Sequence, residues 1–71
     1  LYPNPVDDLL YIASEELIKS ISLKNILGQT LYELKVDSFD SSIDVSNLNK
    51  GTYFLNLKTE SKNSIKKIIK N

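Results

Sequence analysis

The sequence predicts an all-β fold, a small sandwich of about seven short antiparallel strands. Three observations predict it. Apolar and polar residues alternate in run after run, as in half-buried strands. Turn-forming residues separate these runs at a spacing of roughly 8–12 residues. No segment sustains the 3.6-residue period of an amphipathic helix. Many short strands with regular turns in one small domain make the sandwich immunoglobulin-like in kind.

The elements follow in order. Tyr2-Pro3-Asn4-Pro5 is rigid and extended, because each proline fixes its own φ and disfavours helix in the residue before it. Proline cannot donate a ladder hydrogen bond, which places this segment at an edge or a strand start. Asp7-Asp8 reads as a turn, and Leu10 and Ile12 alternate with Tyr11. Ser14-Glu15-Glu16 reads as a loop, and Ile21 and Leu23 form the next strand with Ser22 and Lys24. Gly28 falls between two β-like runs, where a hairpin needs a positive φ. Tyr32, Leu34 and Val36 then share one face. Residues 37–42 read as a turn-rich stretch, and Ile43 and Val45 flank Asp44 in a short strand.

Residues 46–51 form a loop or at most one helical turn, with Leu48 expected to plug the end of the core. Residues 52–59 carry the strongest strand pattern, with Tyr53, Leu55 and Leu57 on one side. A turn at residues 60–63 leads to a basic-apolar strand over 65–70. There Ile68 and Ile69 face opposite sides, which a bulge or a two-sided edge position accommodates.

Composition narrows the chemistry. The chain has 71 residues, enough for one core and one domain spanning residues 1–71. Nine Lys balance nine Asp and Glu, so the strongly basic character of a nucleic-acid binder is missing. No apolar run approaches the about 20 residues of a transmembrane segment. Without Cys, His or Arg, thiol nucleophiles, imidazole bases and bidentate anion clamps are all missing. The chain reads as non-catalytic, with no cofactor and no metal. It starts at Leu1 and contains no Met, so it is expected to be a fragment of a larger protein.

The patterns that mimic chemistry have plainer readings. Asp37, Asp40 and Asp44 could suggest a calcium loop, but they lack EF-hand spacing and its glycine. Aspartate is common in turns because it bonds its own backbone. Ser64-Ile65-Lys66-Lys67 matches an S-x-x-K string, but that string needs a helix. Tyr2, Tyr11, Tyr32 and Tyr53 could stack on a sugar, but they are too scattered to define a platform. Lys62, Lys66, Lys67 and Lys70 fit a solvated edge strand that resists aggregation.

The order of four blocks adds a resemblance. Tyr2-Pro3-Asn4-Pro5-Val6 opens the chain, and Leu27-Gly28-Gln29 and Leu31 lie in its middle. Residues 43–53 read I-D-V-S-N-L-N-K-G-T-Y, and Lys67-Ile68-Ile69-Lys70 comes at the end. Together they resemble the type IX secretion C-terminal sorting domains of Bacteroidetes, over essentially the whole chain. The resemblance implies a tail of a larger secreted protein that reaches the cell surface or the medium through the periplasm and outer membrane. It implies two partners, the outer-membrane type IX translocon and a sortase-like peptidase that removes the domain. Where the family often has Gly before the last strand, this chain has Ser61-Lys62-Asn63, and Asn tolerates the left-handed conformation.

A sorting tag needs no catalytic group. It must fold regardless of its passenger and present a surface to a receptor. Partner recognition is therefore expected at Lys67, Ile68, Ile69 and Lys70, through strand addition and lysine steering. Pro3, Asn4, Pro5, Gly28, Leu48, Gly51 and Tyr53 are expected to be structural. The alternative is a non-catalytic immunoglobulin-like adhesion or carbohydrate-binding module that stays on its host protein.

Overall fold

A computed structural model describes residues 7–71. Pro3, Asn4 and Pro5, and with them the extended opening segment, lie outside the described residues. The chain forms four strands, β1 (Leu9–Asn25), β2 (Thr30–Asp44), β3 (Gly51–Thr59) and β4 (Asn63–Lys70). They make one antiparallel sheet in the order β2-β1-β3-β4. The fold is all-β, but the expected count of about seven short strands becomes four, two of them long. The reason is that the polar stretches at 14–16 and 37–42 stay within β1 and β2. They interrupt the alternation of side chains, and the pairing of β1 with β2 skips residues 14–17 and resumes at Ile18.

A straight 17-residue strand would reach about 56 Å. The longest dimension of the molecule is 31 Å, so β1 must bend. Its burial pattern shows where. Leu10, Ile12 and Ile18 are buried at even positions, and Ile21 and Leu23 at odd ones. Strand side chains alternate with a period of two, so this switch requires one extra residue. The pairing of β1 with both β2 and β3 slips between Ile18 and Ser20. A second slip, between Ala13 and Ile18, takes up residues 14–17.

These slips divide β1 and β2 into an arm and a body. In the arm, residues 9–13 pair only with residues 40–44. In the body, residues 18–25 pair with β2 on one side and β3 on the other. Arm and body share one core. Leu10, Ile12, Ile43 and Val45 from the arm and its exit join Ile18, Ile21, Leu23, Tyr53, Leu55 and Ile68 from the body. The Val45 amide donates to the Asp8 carbonyl at 2.7 Å, which closes the open end of the arm.

The first hairpin turns over residues 26–29, where the Gly28 amide donates to the Asn25 carbonyl at 3.0 Å and the turn ends on a left-handed residue. That residue is Gly28, at φ +86°. Asn25 organises the turn. Its Oδ1 accepts from the Leu27 and Gln29 amides, both at 3.0 Å. Tyr32 and Leu34 sit opposite Leu23 and Ile21, the face expected for them.

In β4, Ile68 is buried and Ile69 is 43% exposed. The β3–β4 register runs without a slip from Gly51↔Lys70 to Lys58↔Asn63. An outer strand with two usable faces, rather than a bulge, therefore accommodates both. The turn before it contains no left-handed residue, since no non-glycine among the described residues has a positive φ. Asn63 does not act as the expected substitute for glycine. The Thr59 amide closes that turn on the Lys62 carbonyl at 2.9 Å.

Candidate functional site

The I-D-V-S-N-L-N-K-G-T-Y segment is the most distinctive string in the chain, and nearly all of its fixed positions are used inside the molecule. Ile43 and Val45 are buried. Between them Asp44 points outward, and its Oδ1 accepts from the Ser46 amide at 2.9 Å. Hydrogen bonds from the Ser46 side chain and backbone hold the Asp44 carboxyl below its ordinary pKa. The Leu48 amide donates to the Val45 carbonyl at 3.0 Å, turning Leu48 onto the core. Gly51 has φ +150°, a conformation that is strained for any residue with a Cβ. Tyr53 is buried, and its hydroxyl donates to the Asn49 carbonyl at 2.7 Å. A buried phenol needs such a partner.

The motif is thus a folding device that turns the chain from the arm into β3. Gly28 and Gly51 have positive φ, Leu48 packs against the core and the Tyr53 hydroxyl bonds the loop at Asn49.

A second cluster was not visible from the sequence. Glu16 lies in the residues that bulge from β1, where the sequence suggested only a loop. Its Oε1 accepts from the Thr59 hydroxyl at 2.6 Å. The Ser61 hydroxyl lies 2.8 Å from Oε1 and 2.6 Å from Oε2. These bonds lower the Glu16 pKa, Ser61 contributing most, then Thr59, with Lys62 adding a smaller attraction. The cluster ties the bend of β1 to the β3–β4 turn. Thr59 is a buried polar residue, and Glu16 is the nearer of the two acceptors at its hydroxyl. Sequence separations of 43 and 45 residues hide the pairing.

The chemistry-like patterns disperse. Asp37 lies 3.8 Å from the Lys19 Nζ, while Asp44 serves the turn at Ser46. Asp40 is exposed and lies near the Ser38 hydroxyl. Among the described residues no group of His, Cys, Asp or Glu could hold a metal ion. Tyr53 is in the core, Tyr32 is partly buried against it, and Tyr11 is exposed on the arm. They form no stacking platform. Ser64 and Lys67 lie on a strand rather than a helix. No helix of the described residues is long and apolar enough to cross a membrane.

The closing basic-apolar run is an outer strand of the sheet. Within it Ile68 packs in the core and anchors the strand. Lys67 and Ile69 lie opposite Phe54 and Thr52, on the outward face. Lys70 lies at the end of the strand, its Nζ 3.1 Å from the Asn71 carbonyl. Ile65, also outward, is 70% exposed.

A family described as "Secretion system C-terminal sorting domain" matches residues 1–71. Beta-agarase A of Zobellia galactanivorans is 36% identical over 63 residues, which are 86% of this chain and 12% of the agarase. The chain therefore corresponds to a small part of that relative.

Proposed function

Since the chain belongs to the type IX secretion C-terminal sorting domain family, we propose that it delivers a passenger through an outward-facing reading surface centred on β4. Domains of this family are sorting signals that mark proteins for the cell surface or for release, and they work with the secretion system rather than as catalysts. On this reading residues 1–71 are one domain of a larger secreted protein. Its partners are the outer-membrane translocon and a sortase-like peptidase that removes the domain after crossing. The arm folded over the body supplies the two facing layers of an immunoglobulin-like sandwich.

One observation carries the assignment to β4. The apolar positions of the motif at 43–53, Ile43, Val45, Leu48 and Tyr53, are committed to the core, and its Asp44 to the turn at Ser46. The closing strand instead lies at the outside of the sheet and turns Ile65, Lys67 and Ile69 outward. Ile68 holds that strand on the core. Lys67 and Lys70 supply positive charge for steering, and an outer strand suits recognition by strand addition.

The test is a fluorescent reporter with a signal peptide and residues 1–71 at its C-terminus, expressed in a type IX-competent host. The fusion should reach the cell surface or medium, and should stay in the periplasm when the machinery is deleted. Removing residues 66–71 should trap it. That truncation also removes Ile68, so the informative variant is K67E/I69D, which leaves the core intact. Export of K67E/I69D at the wild-type level would reject β4 as the reading strand.

A further inference from the structure

The net charge of zero conceals a separation of charge. Seven of the nine acidic residues lie within 7–17 and 37–44, the arm and its bend, which contain no lysine. All nine lysines lie in the remainder, together with Glu33 and Glu60. The sheet register collects several of these lysines on the outward face of the body. One row across the strands is Thr30, Lys24, Phe54 and Lys67, the next is Glu33, Ser22, Asn56 and Ile65, and the third is Lys35, Ser20, Lys58 and Asn63. That face carries four lysines against one glutamate. Lys24, Lys35 and Lys58 join no ion pair among the described residues.

The same face is shaped. Ile26, Phe54 and Ile65 line a groove of about 280 Å³, and Asn56 lies between it and a second hollow bordered by Glu33 and Lys35.

We infer that this outward face docks a carboxylate-rich surface of a partner protein. The inference rests on the sorting-signal reading and names the chemistry of the partner. Charge complementarity selects an acidic partner. The groove selects a protein over a lipid surface, because a concave apolar site set among lysines fits a protruding apolar side chain flanked by carboxylates better than a layer of headgroups.

Two matched double reversals test the charge. K24E/K58E alters the face, and K19E/K50E makes the same net change away from it and from β4. K24E/K58E should lower export of the reporter fusion about tenfold or more, and K19E/K50E should leave it near wild type. Both should melt as wild type does. If K24E/K58E fails to fold, K24Q/K58Q takes its place with a smaller expected loss.

A photo-crosslinking residue at Ile65 identifies the occupant during export, with Phe39 on the arm as the control position. Protein adducts from Ile65 that disappear with K24E/K58E support the inference. Lipid adducts alone, no adducts, or equal export of the two double variants overturn it. Failure of the wild-type fusion to leave the periplasm would instead defeat the sorting reading itself.

Discussion

Single residues in this chain are mostly committed to geometry. Nothing lies within 4 Å of a Cβ built on Gly28 or Gly51, so the cost of a side chain there is torsional. Gly28→Ala should destabilise by about 1 kcal/mol and Gly51→Ala by about 1–3 kcal/mol. Gly28→Asn should cost less than Gly28→Ala, because asparagine visits the left-handed region more readily. Urea midpoints of the three variants check this order. Glu16 predicts a pH dependence. Its folded pKa lies below its ordinary value of 4.5, so the folded state favours the carboxylate. That contribution is complete above the unfolded pKa and fades as pH falls through the folded one. Glu16→Gln should therefore be less stable than wild type near pH 7, with the difference shrinking at about pH 2. Both glycines were legible in the sequence, since each stands between β-like runs. Glu16 was not, because Thr59 and Ser61 reach it only after the sheet has formed.

At the scale of elements, the decisive feature is the extra residue near Ile18. The buried positions change parity across it, from Leu10 and Ile12 to Ile21 and Leu23. Deleting Lys19 would remove that extra residue and force a choice between the two sets. Either the arm or the body would then turn its apolar face to solvent. The deletion variant should lack a cooperative thermal transition, whereas Lys19→Ala should retain one, since it loses only long, exposed ion pairs to Asp37 and Glu60. Circular dichroism melts separate the two outcomes. The sequence displayed this parity change, but apolar alternation alone reads as two strands with a loop between them. Choosing one bent strand requires knowing that β2 pairs with both halves of β1. Likewise the lysines at 24, 35, 58 and 67 look unrelated along the chain, and only the register of four strands sets them on one face.

For the molecule as a whole, the central fact is that arm and body share a core although their ladders are nearly separate. The arm is a two-stranded ribbon, which is marginal in water without a surface to cover. The body without the arm would expose the side of Leu23 and Tyr53 that meets Leu10 and Val45. Each half therefore stabilises the other. A chain of 71 residues has a total stability of about 4–11 kcal/mol at typical values per residue. Truncating a buried aliphatic side chain costs about 2–5 kcal/mol. Ile12→Ala in the arm and Leu55→Ala in the body should each consume a large share of that total. Because the core is single, both should destabilise arm and body together. Amide NMR intensities followed through urea titrations would show residues 9–13 and residues 51–59 disappearing at one midpoint in each variant. If Ile12→Ala instead released the arm at a lower urea concentration while the β3 and β4 signals persisted, the body would have to be an independent folding unit. Single-step unfolding suits a sorting tag, because a partner then meets either the complete outward face or none of it.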